Sequence, residues 1–372
     1  MQSLDLFLQR ILLRTISVFL SRPKYGAAQL PIDSLKRILI VRQHDQLGDL
    51  LIATPAIRAV RKKFPNAFIA VVVREYTAPI LECNPHVDEV IIFYEKLWRW
   101  NIRKAISFWQ SLRGEHGFDC AIVLNTISRS LSSDLIALLS RAGFIIGSDH
   151  LSHDASRPEK IYNVISRRAS GQMTEISRNI EIVGTLGAEM NDFEYDLVLK
   201  DEEIIEAEKI FQTFTISPRK HIVGVHFGAL NSSKCFPLDS LARVIDWTIE
   251  NYEVEIVLIV SPNEIQRREY LVSRLSHNVH FAPIMPLRIM AAFMIHLSLF
   301  ICNDTGTLHI ASSQRVPTVS FHSLSDPAIW KPPHDRHIAL RADDGLRTSI
   351  TVEQVKAAIT MAAKKFSTKS LN

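Results

Sequence analysis

Cysteine is scarce in this sequence, and its four copies lie far apart without a C-x-x-C pair, at Cys83, Cys120, Cys235 and Cys302. This spacing excludes a disulfide framework and a thiolate metal site, and it suits a reducing compartment. The H-E-x-x-H signature is absent, and no acidic residue recurs at a fixed offset from the histidines. We therefore expect no metal site.

Long apolar runs are also missing. No stretch of about 20 uncharged apolar residues occurs, so the sequence does not predict a membrane-spanning helix. Neither charge sign dominates, because 43 Lys and Arg residues face 39 Asp and Glu residues, for a formal net charge of +4. This balance argues against a nucleic-acid-binding domain, and the small basic excess favours an anionic ligand or an anionic membrane surface.

Three glycine signatures are missing as well. No two glycines stand one residue apart, which excludes G-x-G-x-x-G, and neither G-x-x-x-x-G-K-[ST] nor G-x-S-x-G occurs. Dinucleotide-dependent dehydrogenases, P-loop enzymes and hydrolases with a nucleophile elbow carry these motifs. The chemistry of this chain therefore has to be sought elsewhere.

The sequence does contain apolar runs of strand length that alternate with helical patterns, and the alternation starts twice. This pattern is typical of parallel sheets with helices on both faces. A length of 372 residues suits about two domains. We predict an α/β fold of two doubly wound, Rossmann-like domains facing a cleft. The predicted parts are a helical extension at 1–24, domains at 25–195 and 196–345, and a closing helix with a tail at 346–372.

The N-terminal extension has an amphipathic pattern between residues 4 and 20. Leu, Ile and Phe form one face, Arg10 and Arg14 lie on the other, and Pro23 ends the pattern. The two arginines interrupt any secretory h-region. Two interpretations remain open, because such a helix can pack on its own domain or lie in a membrane interface.

Open parallel sheets bind ligands beside the carboxyl ends of their strands. After the strand predicted at 38–41, Gly48 permits a turn and Asp49 stands at the start of a helix. A carboxylate there can serve as a general base or simply cap the helix. Asp45, four residues earlier, is a second candidate for the base.

Two further loops have features of an anion site. The loop at 227–237 surrounds Lys234 with small polar residues, which suits a diphosphate, although an exposed lysine on a long loop explains it equally well. The loop at 303–311 turns at Gly306 into a helix whose first N–H groups can bind an anion. Capping by Asp304 or Thr305 is the alternative.

Three segments, in this order, resemble the glycosyltransferase family that contains the ADP-heptose:lipopolysaccharide heptosyltransferases. The first is Gly48-Asp49 followed by Thr-Pro-Ala-Ile-Arg at 54–58, and the second is Lys-Cys-Phe-Pro at 234–237. The third is the family's Asp-Thr-Gly-x-x-His-hydrophobic-Ala stretch, present in full at 304–311. The resemblance extends from about residue 37 to about residue 358.

This resemblance implies a GT-B architecture, with the acceptor on the N-terminal domain and the nucleotide sugar on the C-terminal one. It implies an inverting transfer without a metal or other cofactor, of a heptose or related sugar from ADP-heptose to a lipopolysaccharide core acceptor. The expected location is the cytoplasm, with possible peripheral contact at the inner face of the cytoplasmic membrane. No nucleic acid is expected as a partner.

The resemblance also implies roles for individual residues. Asp49 matches the catalytic base, and Lys234 matches the catalytic group that steadies the departing diphosphate. Glu264 matches a ribose-binding acid and Met285 a residue beside the adenine. The full donor-binding set is Ser233, Lys234, Glu264, Met285, Asp304, Thr305, Gly306, Thr307 and His309. Apart from the resemblance, Arg99, Arg103, Arg129 and Arg157 lie in the N-terminal half and are candidates to meet anionic groups of the acceptor, and a solvated surface arginine is the alternative for each.

The sequence also departs from the family pattern. His44-Asp45-Gln46-Leu47 replaces small hydroxyl residues before Gly48, while Cys235 and Phe236 replace a basic residue and a tryptophan. These departures leave open which of Asp45 and Asp49 is the base. Two alternative functions also remain: the same fold using another nucleotide sugar in surface-glycan synthesis, and a catalytically silent nucleotide-sugar-binding protein.

Overall fold

The computed structural model describes residues 22–43, 46–114, 117–127, 129–149, 161–167, 172–217, 219–228, 235–323 and 325–364. The chain forms two compact units, one up to Asp196 and one from Leu197. The predicted amphipathic helix at 4–20 lies outside the described residues. Among the described helices, none is long and apolar enough to cross a membrane.

The N-terminal unit is built on a six-stranded sheet in the order β3-β2-β1-β4-β5-β6, and every pairing is parallel. Its strands are β1 Arg37–Val41, β2 Phe68–Arg74, β3 Glu89–Phe93, β4 Cys120–Val123, β5 Phe144–Ser148 and β6 Val164–Ser166. Its helices are α1 Leu47–Lys63, α2 Ile102–Arg113, α3 Leu131–Leu139 and α4 Glu175–Gly184. The central strand β1 is apolar and buried because helices cover both faces of such a sheet.

The C-terminal unit has a second six-stranded parallel sheet, in the order β12-β11-β10-β7-β8-β9. Its strands are β7 His221–His226, β8 Val254–Leu258, β9 His280–Phe281, β10 Leu299–Asn303, β11 Thr318–Phe321 and β12 His337–Leu340. Its helices are α5 Asp201–Gln212, α6 Leu238–Asn251, α7 Ile265–Ser273, α8 Leu287–Met294, α9 Gly306–Ser313, α10 Pro327–Trp330 and α11 Val352–Ala363.

The two sheets share one topology. Counted from the first strand of each unit, both have the order 3-2-1-4-5-6, which is the doubly wound Rossmann order. The winding direction reverses between β1 and β4 in one sheet and between β7 and β10 in the other. Loops that leave the carboxyl ends of strands at such a switch point form ligand sites. The three loops singled out in the sequence leave β1, β7 and β10, so all three lie at a switch point.

The predicted doubly wound α/β fold is confirmed, but some elements differ. The segment 151–172 has a mostly polar composition that predicts a loop, yet it contains β6, a strand too short to produce a recognisable apolar run. The charged stretch beginning near Asp192 runs into helix α5, whose first turn carries Asp201, Glu202 and Glu203. Acidic side chains stabilise a helix N-terminus, so this charge belongs to a helix.

Candidate active site

Asp49 lies in the first turn of α1, directly after the loop that leaves β1. Its Oδ2 accepts a hydrogen bond from the backbone N–H of Gln46 at 2.9 Å, and the side chain is half-buried. The capping interaction foreseen as an alternative is therefore present. It holds the carboxylate in one orientation at the carboxyl edge of the sheet, and a cap of this kind does not exclude a second role for the other oxygen. Asp45 lies outside the described residues.

Buried polar side chains tie this loop to the loop after β4. Arg42 donates from Nη2 to the Asp49 carbonyl at 3.3 Å and from Nη1 to the Leu124 carbonyl. Gln43 donates from Nε2 to Ser132 Oγ at 2.8 Å, at the start of α3. The backbone that carries Asp49 is thus bonded to both sides of the switch point.

Glu175 is a buried carboxylate within electrostatic reach of Asp49. It receives hydrogen bonds from Thr126 Oγ1 and, at 3.1 Å, from Arg178 Nη1. Burial raises the pKa of Glu175 to about 7 against the opposing effect of Arg42 and Arg178, and the charge of Asp49 adds to the rise. The sequence pattern does not reveal this residue, because an acid in the first turn of a helix has an ordinary explanation in the helix dipole.

Replacing Glu175 with glutamine should flatten the pH dependence of stability. The pKa of Glu175 is raised on folding, so its stabilising contribution is complete below the ordinary value of 4.5 and is lost as the pH rises through about 7. A displacement of that size corresponds to ~3 kcal/mol. Urea unfolding at pH 5 and pH 8 measures the free energy of unfolding at each pH. It should be lower at pH 8 in the native protein and nearly equal at the two pH values in Glu175→Gln. The exposed Glu189→Gln is the matched control, and an unchanged pH slope in Glu175→Gln would contradict the assignment.

The four arginines proposed for the acceptor do not form one group. Arg99 and Arg103 are exposed beside the start of α2, and Arg99 Nε donates to Glu75 Oε2 at 3.0 Å. Arg129 has a side chain only 1% exposed, and its Nε donates to the buried Asp134 at 2.6 Å. This pairing favours a structural role for Arg129. Arg157 lies outside the described residues.

A pocket of about 210 Å³ with both basic and acidic side chains adjoins the loop that carries Asp49. It is lined by Arg74, Glu75, Tyr76, Phe93, Glu95, Lys96, Trp98 and Arg99. Tyr76 donates to Gln46 Oε1 at 2.7 Å, and Arg74 Nε donates to the Gln43 carbonyl at 2.9 Å. The pocket is therefore bonded to the same loop that positions Asp49.

In the C-terminal unit, Glu264 is held at the carboxyl edge of the second sheet. Its Oε2 accepts a hydrogen bond from the Ser261 N–H at 2.8 Å and lies 3.5 Å from His226 Nε2. Burial acts to raise the pKa of Glu264, but hydrogen bonds from His226 and Ser261 and the charge of His226 outweigh it and lower the pKa to about 2. Glu264 is consequently charged at neutral pH.

Gly228 makes room for this carboxylate. A Cβ at residue 228 would lie 1.3 Å from Glu264 Oε1, a distance at which the glutamate has to move. Only a glycine accommodates the observed side chain.

A polar chain continues from His226 to the start of α9. His226 Nδ1 lies 3.4 Å from Thr307 Oγ1, which lies 2.8 Å from Thr305 Oγ1. Within the described residues no side chain caps α9, whose first residue is Gly306. The first-turn N–H groups therefore face the same edge of the sheet as Glu264. His226, the last residue of β7, is missing from the sequence-based site because its partners come from distant loops.

The carboxylate of Asp304 contacts side chains from a later loop and does not cap the start of α9. Ser325 Oγ donates to its Oδ2, which lies 3.5 Å from His322 Nδ1. Burial lowers the pKa of both His309 and His322, so these rings are neutral near pH 7. The capping role considered for Asp304 is therefore not the one seen, and His309 offers a neutral ring beneath the turn.

Asn303 closes the base of the loop that carries Lys234. Its Nδ2 donates to the carbonyl of Phe227 at 2.9 Å, and its Oδ1 accepts from the N–H of Phe236 at 3.0 Å. Phe236 also stacks on Phe321, with ring centroids 4.3 Å apart. Ser233 and Lys234 lie outside the described residues, but both ends of their loop are held by one buried amide. Met285 is half-buried between β9 and α8.

Comparison with known proteins gives concordant matches. Residues 105–357 match the model of glycosyltransferase family 9 (heptosyltransferase). The lipopolysaccharide heptosyltransferase 3 of Escherichia coli K12 is 23% identical over 77% of this chain and 82% of its own length. A family 9 glycosyl transferase from Veillonella parvula superposes with a TM-score of 0.75 at 22% identity, covering 88% of this chain and 97% of the other. E. coli heptosyltransferase WaaC with ADP-2-deoxy-2-fluoro heptose has a TM-score of 0.68 at 20% identity, covering 87% and 99%.

Proposed function

Since the chain belongs to glycosyltransferase family 9 (heptosyltransferase) and is a glycosyltransferase with a GT-B-like fold, we propose that it transfers a heptose from ADP-heptose to a lipopolysaccharide core acceptor. The observation that carries the proposal is the set of polar groups at the switch point of the second sheet. A charged Glu264, two threonine hydroxyls and a helix start that no described side chain caps suit the ribose and diphosphate of a nucleotide sugar.

In this proposal the donor is bound from two directions. Glu264 accepts hydrogen bonds from the ribose hydroxyls, and Met285 contacts the adenine. The diphosphate meets the N–H groups and hydroxyls of Thr305, Gly306 and Thr307, together with Ser233 and the positive charge of Lys234. Asp304 and His309 support the turn and complete the donor site. The choice of nucleotide is supported by E. coli WaaC, a similar heptosyltransferase whose structure was solved with ADP-2-deoxy-2-fluoro heptose.

The proposed chemistry is a single displacement that inverts the anomeric carbon. Asp49 accepts the proton of the acceptor hydroxyl as its oxygen bonds to that carbon. The bond from the carbon to the phosphate oxygen breaks, and its electron pair leaves with ADP. Lys234 and the N–H groups at the start of α9 stabilise the charge that grows on the leaving phosphate, so the step is written without a metal. Asp45 is the alternative base.

The acceptor is proposed to bind the N-terminal unit through its anionic groups. Support comes from the pocket beside the Asp49 loop, whose lining includes Arg74, Lys96 and Arg99 and has an excess of one cation over Glu75 and Glu95. Arg103 is exposed nearby, and Arg157 is retained as a candidate from the sequence. We place this activity in the cytoplasm at the inner face of the membrane, with residues 4–20 as a proposed interfacial helix.

A thermal-shift panel with ADP, UDP, GDP and their sugars tests the donor. We expect ADP and ADP-heptose to raise the unfolding midpoint most, because a ligand that binds only the native state at 100 times its Kd stabilises by about 2.7 kcal/mol. If UDP or GDP raised the unfolding midpoint more than ADP did, the donor would be a sugar of that nucleotide and not ADP-heptose. Binding of an ADP sugar without transfer to any delipidated core acceptor would instead favour the silent binding protein.

A further inference from the structure

Helix α2 and the turn before it expose an unusual amount of apolar surface. The side chains of Trp98, Ile102, Ile106 and Trp109 are 72%, 74%, 50% and 38% exposed. Residues 102, 106 and 109 follow helical spacing and share one face of α2. The other face packs inward through Leu112 and Phe108. The outward apolar strip is therefore additional to the face that α2 uses for folding.

The segment that carries this strip is basic, although Arg99 is paired with Glu75 from outside the segment. Between Lys96 and Arg113 there is no acidic residue and there are five basic ones, Lys96, Arg99, Arg103, Lys104 and Arg113. The segment also contains three of the chain's five tryptophans, Trp98, Trp100 and Trp109. We call the four exposed apolar residues and these five basic residues the α2 surface.

Basic groups lie directly against the exposed tryptophans. The guanidinium of Arg113 lies 4.1 Å from the ring centroid of Trp109, and that of Arg99 lies 5.4 Å from the ring of Trp98. Lys96 Nζ lies 5.7 Å from the same Trp98 ring. Cations beside amphipathic rings and aliphatic side chains are the composition found where a helix lies flat at a bilayer interface.

We propose that the α2 surface docks on an anionic lipid bilayer, with the apolar strip in the headgroup region and the basic residues against lipid phosphates. Charge selects this occupant. A second copy would bring one basic surface against another, even with Arg99 paired to Glu75, whereas an anionic bilayer complements the other cations. The proposal depends neither on the identity of the donor nor on residues 4–20, and it adds a partner to the proposed function.

Flotation of the full chain with vesicles tests the proposal. We expect binding to vesicles of phosphatidylethanolamine and phosphatidylglycerol, weakened by salt, and at least tenfold weaker binding to phosphatidylcholine alone. Ile102→Gln combined with Ile106→Gln should lower the anionic partition at least tenfold without changing the thermal midpoint, since both side chains are exposed. The matched control is Ile205→Gln, at a position 54% exposed on the acidic helix α5, and it should leave binding unchanged.

Quenching of tryptophan fluorescence by brominated lipids locates the contact. Most of the quenching should disappear in Trp98→Phe with Trp109→Phe, and it should persist in Trp247→Phe. Unchanged flotation and unchanged quenching in the α2 variants would overturn the proposal and leave residues 4–20 as the membrane contact. A dimer in sedimentation that the double isoleucine variant converts to monomer, with vesicle binding unaltered, would assign the surface to a second copy instead. Transfer to a delipidated acceptor should be unaffected in the Ile102→Gln, Ile106→Gln variant, whose residues do not line the pocket proposed for the acceptor, and this separates the test from that of the donor.

Discussion

Asp49→Asn should lower the rate of sugar transfer by at least about 100-fold, the usual scale for loss of a general base. Asparagine keeps a side-chain oxygen that can accept the N–H of Gln46, so the start of α1 should remain capped. The asparagine amide is not basic enough to take the proton of the acceptor hydroxyl, so the variant lacks the proposed general base. The measurement is kcat at saturating ADP-heptose and acceptor, with the thermal shift produced by ADP as the readout of donor binding.

Asp45→Asn is the matched control for this prediction, because it removes the other carboxylate of the same loop. It should retain most of the activity. Full activity in Asp49→Asn together with a large loss of activity in Asp45→Asn would assign the role of the base to Asp45 instead. Asp49→Ala separates the two roles of the residue, since it should also lose about 1 kcal/mol of stability with the cap, whereas Asp49→Asn should not.

Gly228→Ala should weaken donor binding by about 100-fold. The added methyl would lie 1.3 Å from Glu264 Oε1. Since the end of a flexible side chain yields more easily than the backbone, the carboxylate should swing away and the fold should survive. That movement breaks the contacts with Ser261 and His226 that hold the Glu264 carboxylate in its observed orientation. Hydrogen bonds to charged groups are worth about 1.5–3 kcal/mol each, so loss of the ribose contacts accounts for the expected factor.

Isothermal titration with ADP measures this effect, and Gly184→Ala is the matched control, because a Cβ at residue 184 meets nothing within 4 Å. Glu264→Gln should weaken ADP binding in the same direction with glycine still in place. If Gly228→Ala binds ADP as tightly as the native chain, Glu264 does not contact the nucleotide in its observed position.

Much of the site was predictable because it depends on local signals. A strand that ends, a glycine that permits a turn and a helix that begins are features of neighbouring residues, and they identify the loops at Asp49 and Gly306. The parallel-sheet pattern then places those loops at carboxyl strand ends. The strand order 3-2-1-4-5-6 was not readable, since β5 and β6 are too short or too weakly apolar to recognise.

The role of an individual charged side chain was much less predictable. Arg99 and Arg129 were both candidates for the acceptor, yet one is exposed beside Glu75 and the other is buried against Asp134. Asp304 has the sequence context of a helix cap, but Ser325 and His322 engage its carboxylate. Partners of this kind come from other loops, so they cannot be predicted from the residues that neighbour the charged side chain in the sequence.

The sequence by itself determined the family, the two doubly wound domains and the loops in which we propose the chemistry, because strand periodicity, turn residues and short motifs are local properties of the chain. Only the tertiary structure decided which side chains meet there. The pKa of Glu175 depends on its burial and on Arg42, Arg178 and Asp49, and the lowered pKa of Glu264 depends on His226, which lies on a strand distant in sequence. Burial and approach between distant segments exist only once the chain has folded, so these electrostatic properties cannot be obtained from residue order.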